Sequence, residues 1–407
     1  MKHLEEKNRI NSFWTPYPQV DRAGGMATCD AIAALTYPIM KYGAIGGVWW
    51  QKGDVVNLSI KGVEAFCDLV KQALERPEEG KKGLWTREET SGAFLLTAGS
   101  DIRTESDKPF VSVNADLILC YYAVDGCVNI LEKIGNEGNK LKNFKDILEK
   151  FKNEALNGIV DWILKQQNAK GLWAENKSVN GANNPSLTAT SFAIRALSLD
   201  WRLRLKSTSQ AEVEKKILKE IEALTENIEA RISEDRKEKE LEKETSKPSL
   251  SELAFSLSSL IEASDYLGLQ QYPNIIYNYP NVLLDKVHEL LKKPAEKCTD
   301  RELICDYHVT YSTLGPALLA LVKCHEALNR YVGKEEGVKR MVELATPRLR
   351  YYADILARVG CDVLIQKGCM AERRGREGEW RWDPATSATA SLIIALVEYD
   401  AKMNVGA

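Results

Sequence analysis

The sequence predicts an all-α protein, a double-layered (α/α)6 toroid of about six helical hairpins that carries a long charged helical arm. Three observations lead there. Small or hydroxyl residues run straight into Ala/Leu-rich helical patterns six times along the chain, amphipathic segments lie between these runs, and turns of the form Gly-x-Trp precede several of them. Hairpins that cannot each bury both faces alone close into a ring of inner and outer helices; an open helical solenoid is the other arrangement this pattern permits.

The predicted inner helices follow in chain order. Thr28 to Leu35, Ser112 to Leu119, Ser186 to Leu197, Ser249 to Ala254, Thr310 to Leu314 and Ser387 to Leu396 each open on a residue whose side-chain oxygen can satisfy an orphan helix amide. Each continues with small apolar residues suited to a closely packed inner helix. Gly62 to Leu74, Phe144 to Lys165 and Pro280 to Lys292 are amphipathic and read as outer helices. The Gly-x-Trp turns stand at Gly47 to Trp49, Gly83 to Trp85, Gly171 to Trp173 and Gly378 to Trp380, so the surplus of nine Trp over eight Phe falls partly at equivalent points of a repeat. Glycine there admits positive φ, and the indole buries a large apolar area between helices. A length of 407 residues would by itself allow two to four domains at roughly 100–200 residues each. Units spread from end to end leave no boundary, so the expectation is a single domain over 1–407.

Composition narrows the class. With 44% hydrophobic and 28% charged residues the chain can bury a sizeable core. A net charge of −3 offers no basic surplus for nucleic acid or an anionic membrane. No run of about 18 apolar residues predicts a membrane span, and the charged start Met1-Lys2-His3-Leu4-Glu5-Glu6-Lys7 does not read as a signal peptide. The expected location is cytoplasmic. Nine scattered cysteines without a C-x-x-C pair are expected to be mostly reduced and buried.

The segment from Asn157 to Trp173 then becomes specific. Trp162, Ile163, Gln167, Gly171 and Trp173 fall at the spacing of the Gln-Trp repeat, and only the leading basic residue is missing, Asn157 standing in its place. The segment resembles the repeat of the terpenoid cyclases, a superfamily that includes protein prenyltransferase β subunits. The resemblance implies an α/α toroid in which the glutamine caps backbone at a helix end and the tryptophan packs beside it.

Chemistry carried over from that resemblance is partial. Class II terpenoid cyclases protonate an alkene with an Asp of an Asp-x-Asp-Asp motif that heads an inner helix. The nearest match is Ala27-Thr28-Cys29-Asp30, where Asp30 fits and Cys29 occupies the proton donor's place. The alternative for Asp30 is a carboxylate interacting with a helix dipole. Prenyltransferases hold zinc with Asp, Cys and His. Asp306-Tyr307-His308-Val309-Thr310-Tyr311 resembles the histidine lead, with Cys305 adjoining. The preceding inner helix reads Ser249-Leu250-Ser251-Glu252-Leu253 and lacks the Asp-x-Cys pair, so no cofactor is expected and zinc is disfavoured. Asp30, Asp306, His308 and Tyr311 are the cavity candidates for catalysis. His288 and His325 read as surface or boundary residues. The zinc element of lanthionine cyclases, the thioester element of complement-type domains and a phosphate-binding glycine loop are all missing. Paired acids of the glycosidase kind could come from Asp30, Asp116, Glu252 and Asp306, which all head predicted inner helices.

From Ala211 to Lys247 the chain carries 21 charged residues in 37 and forms the charged helical insertion. Val213, Ile217, Ile221, Leu224, Ile228 and Ile232 make a narrow apolar stripe, which either packs on the toroid or docks a partner helix. The stretch 373–382, with Arg373, Arg374 and Arg376 before Trp380 and Trp382, is a second candidate partner surface. Function divides accordingly: a toroid binding an apolar or isoprenoid-like ligand in its central cavity, a non-catalytic scaffold or recognition subunit of a larger assembly, or, least supported, a carbohydrate-active barrel.

Overall fold

The computed structural model describes residues 9–10, 13–14, 25–45, 53–74, 85–87, 94–96, 110–135, 139–168, 171–174, 186–204, 210–237, 249–269, 272–292, 311–331, 333, 335–374 and 381–403. They are overwhelmingly helical. The strands among them form three antiparallel two-stranded ribbons, β1 (Arg9–Ile10) with β2 (Phe13–Trp14), β3 (Trp85–Arg87) with β4 (Phe94–Leu96), and β5 (Ala371–Arg374) with β6 (Arg381–Pro384).

Six apolar helices carry the interior: α1 (Gly25–Ile45), α3 (Val111–Lys133), α6 (Leu187–Leu203), α8 (Leu250–Leu267), α11 (Tyr311–Asn329) and α13 (Thr386–Met403). Each contains one of the six hydroxyl-led segments or starts one residue after its leading Ser or Thr. Along the series each packs on the next, and α13 packs on α1, so the contacts close. The tightest seam is α11 with α13, where a Cβ on Gly315 would lie 2.6 Å from the backbone carbon of Ser391. Only glycine permits that approach.

The amphipathic helices lie outside this series. They are α2 (Gly53–Leu74), α4 (Asn139–Phe151), α5 (Asn157–Gln166), α7 (Gln210–Lys237), the short α9 (Asn274–Asn278), α10 (Pro280–Lys292) and α12 (Glu336–Lys367). Five of the six inner helices are followed by an outer one among the described residues. Buried residues from Trp14 to Met403 form one hydrophobic cluster. α3 alone among the described helices is long and apolar enough to cross a membrane, and 83% of its apolar window is buried within the fold.

The Gln-Trp segment shows why its residues sit at their spacing. α5 ends at Gln166, and the chain turns back through Gly171, whose φ is +83°. The Trp173 indole N–H donates to Ile163 O at 2.7 Å, so the tryptophan takes a carbonyl at the helix end. The Gln167 amide donates to Gly171 O at 3.2 Å and to the buried Glu220 carboxyl of α7 at 2.7 Å. The glutamine therefore ties the turn to the next outer helix, and Trp173 shares the capping expected of it. Trp173 is fully buried; Trp49 and Trp380 lie outside the described residues.

The first half of the charged insertion is α7. Ile217, Ile221, Leu224 and Ile228 are buried, and α7 packs on α6 and α8. These four stripe residues are thus covered by this chain's own body; the side chains of Val213 and Ile232 lie outside those described. Residues 238–248 and 375–380 lie outside the described residues. None of the seven described cysteines is in a disulfide; six are buried and Cys361 is exposed.

Candidate functional site

The six inner helices can be aligned on their first residues, and the alignment has structural content at the fourth position. Thr28, Thr190 and Thr389 are fully buried, and each hydroxyl accepts a backbone N–H from a segment arriving before its helix: Trp14 at 3.1 Å, Trp173 at 3.1 Å and Met370 at 2.9 Å. In α3 the same position holds Asn114, whose amide donates to Phe110 O at 2.9 Å. Three of the six helices are thus tied to an arriving segment at this position; Asn114 bonds at its own helix end, and α8 and α11 carry Leu253 and Leu314 there.

Counted from each helix start, positions six, nine and thirteen share one helix face. At the sixth position stand Asp30, Asp116, Phe192, Phe255, Pro316 and Ser391. The Phe192 and Phe255 rings are 5.4 Å apart, centroid to centroid. The ninth position holds Ala33, Leu119, Arg195, Ser258, Leu319 and Ile394. Several of these side chains keep partial exposure.

The thirteenth position is charged on three successive helices: Glu262, Lys323 and Glu398. Lys323 lies 3.4 Å from Glu262 and 3.6 Å from Glu398. Arg195 pairs with Glu262 from α6, while Lys41 of α1 reaches Glu398 at 2.8 Å and Tyr37 donates to the same carboxylate. The chain of charges runs plus, minus, plus, minus, plus across five helices. Burial pushes the Glu398 carboxyl upward, but Lys323 and Lys41 outweigh it and bring it down to about 2. Burial works against the Lys323 ammonium, yet Glu262 and Glu398 hold its titration above the ordinary lysine value.

Asp116 has the opposite balance. Burial, then the neighbouring Asp30, drives its carboxyl well above the usual range, and Arg195 only partly offsets this. It is 8% exposed, and its Oδ2 has no hydrogen-bond partner among the described residues. A carboxyl kept in its acid form can donate a hydrogen bond or a proton.

The sequence expectations fare unevenly. Asp30 faces the layer beside Asp116. It does not head its helix: α1 begins at Gly25, so Asp30 is a full turn past the first amides and the dipole does not account for it. Asp116 likewise lies beyond the first turn of α3. Glu252 does head α8, and is consumed by a capping box with Ser249, accepting from Ser249 N at 2.8 Å. Tyr311 is the first residue of α11, and Asp306 and His308 lie outside the described residues. Among the described residues no three His, Cys, Asp or Glu side chains are grouped to hold a metal. His288 bonds the Tyr352 hydroxyl and His325 bonds Asn329, away from the layer.

Arg195, Phe192, Phe255 and the Glu262–Lys323–Glu398 set were missed from sequence. The signal was present: a charge interrupts an Ala/Leu run at the same place in three consecutive helices. No family model matches the chain, and no curated protein matches it in sequence.

Proposed function

We propose that the chain is an (α/α)6 toroid resembling the terpenoid-cyclase and prenyltransferase rings, and that it binds an apolar, isoprenoid-like ligand inside the ring. The supporting observation is the Phe192–Phe255 ring pair, with Glu262, two turns on from Phe255, held in a set of buried ion pairs. Aromatic and aliphatic walls with a few fixed polar groups are the composition of small-ligand sites. The reading is one of binding, since Cys29 stands where the cyclase proton donor would be. Isothermal titration with farnesol tests it. Saturable binding that weakens by about tenfold in Phe192→Ala is expected, a loss of roughly 1.4 kcal/mol; no binding by the folded protein rejects the reading.

A second reading, a non-catalytic scaffold subunit, draws on the ion-pair set itself, which fills the thirteenth layer with groups bonded to one another. Its partner would meet the outer surface. The buried face of α7 is not that surface without local unfolding, which leaves the stretch around 373–382 and the end of the insertion.

A further inference from the structure

The outer helix α12 carries two apolar stripes. Val342, Ala345, Leu349, Leu356 and Val363 are buried on the side that packs on α11 and α13. The second stripe faces the other way. Of the four large hydrophobic residues that stay exposed among the described residues, three lie on this helix: Leu344 and Tyr351 at 61% and Ile365 at 82%. Tyr351 is seven residues beyond Leu344, Ile365 is fourteen beyond Tyr351, and exposed Arg358 stands halfway between those two. Every seventh residue returns to nearly the same side of a helix, so Leu344, Tyr351, Arg358 and Ile365 form one line.

A helix with one face on the body ordinarily turns polar residues to water on the other. Single exposed apolar residues need no explanation, but a line of them at heptad spacing is the pattern of a helix that pairs with another helix. The composition of the line selects the partner. Its midpoint falls between Asp354 and Ile355, and read from the other end it runs Ile365, Arg358, Tyr351, Leu344. A second copy laid antiparallel about that point therefore sets Leu344 against Ile365 and Tyr351 against Arg358, each pair occurring twice. A guanidinium over a phenol ring is an attractive contact. A parallel pairing sets the two Arg358 side chains against each other, so the charge favours the antiparallel one.

We propose that the outward face of α12 is the contact of a two-fold dimer of this chain, in which α12 pairs antiparallel with α12 of a second copy. The line from Leu344 to Ile365 is about 32 Å long at the helical rise per residue. One helix pair covers less than the roughly 800 Å² per partner that stable interfaces bury, so the dimer is a weak one, with a dissociation constant of roughly 10–100 µM. The stripe that holds α12 to its own body takes no part in the pairing, and what the ring binds has no bearing on it.

The test is sedimentation equilibrium of the full chain from about 1 to 300 µM, a span that brackets such a constant. The average mass should rise from monomer toward dimer. Ile365→Asp and Tyr351→Arg should each weaken the dimer by about tenfold or more, since every substitution enters the interface twice. Tyr351→Glu, which sets a carboxylate against Arg358 of the second copy, should keep it. All three positions are exposed, and circular-dichroism melts that match the wild type establish that the variants fold. A wild type that stays monomeric throughout overturns the proposal and gives the stripe to a different protein or to solvent. A dimer unchanged in both Ile365→Asp and Tyr351→Arg overturns α12 as its contact, and one that Tyr351→Glu disrupts as strongly as Tyr351→Arg overturns the antiparallel pairing.

Discussion

Thr190 and Trp173 hold each other by two hydrogen bonds, the Trp173 N–H donating to the threonine hydroxyl at 3.1 Å and that hydroxyl donating back to Trp173 O at 3.3 Å. Both residues are fully buried. The same exchange joins Thr28 to Trp14, at 3.1 and 3.3 Å, between elements that share no sequence resemblance beyond the threonine and the tryptophan. A hydroxyl is suited to the task because it accepts and donates at once, where a methyl of equal size does neither.

Thr190→Val should therefore cost about 1–3 kcal/mol, since it leaves a buried amide without an acceptor while conserving volume. Urea unfolding measures it. Thr28→Val is expected to cost a similar amount, and Thr188→Val, at a partly exposed position two residues earlier, much less. Equal losses at positions 188 and 190 would mean that β-branching, not the tie, sets the effect.

How much of this was legible in the residues differs between backbone and site. The six inner helices could be found because hydroxyl-led starts and small apolar runs are local signals, and each decides its own helix. The Gln167–Gly171–Trp173 turn was legible for the same reason. Trp14 was not, because its partner Thr28 lies across a ribbon and carries no Gly-x-Trp signature. The interior layer was hidden more deeply. Asp30 was placed one turn too early, at a helix head, because α1 extends back through Gly25, Met26 and Ala27, which carry no cap signal. Glu262, Lys323 and Glu398 are scattered in sequence, and only aligned helix starts put them at one height.

Lys323 stands between two buried carboxylates, and its loss leaves negative charges facing each other in a site of low polarity. Lys323→Met should destabilise the protein by about 1–3 kcal/mol at neutral pH, because each buried carboxylate loses one of its two cations while Arg195 and Lys41 remain. The pH dependence carries a sign. The Glu398 carboxyl titrates at about 2 in the fold against 4.5 ordinarily. A depressed carboxyl contributes stability that is present above 4.5 and is lost as pH falls toward 2. The groups facing it are Lys323, Lys41 and Tyr37. Chemical-denaturation curves taken through this acid window should show a steeper loss for the wild type than for Glu398→Gln. Parallel curves would place the acid sensitivity elsewhere.

The charged insertion offers a prediction that separates packing from docking. Ile217, Leu224 and Ile228 are fully buried and Ile221 nearly so, although the helix that carries them is studded with Lys and Glu. Glu220, on the same buried side, holds Gln167 at 2.7 Å, and Gly171 lies so near α7 that a Cβ there would sit 3.2 Å from Ala223 Cβ. Removing α7 would strip cover from the Gln-Trp turn as well as from α6. Leu224→Ala should cost about 2–5 kcal/mol, the range for truncating a buried leucine. Glu222→Ala on the exposed face should stay within about 0.5 kcal/mol. Thermal melts of the two variants decide the matter. If Leu224→Ala melts with the wild type, the stripe is not held by the body and is available to a partner helix; the expected loss instead makes α7 an integral outer helix, whose deletion unfolds the protein before it can report on any partner.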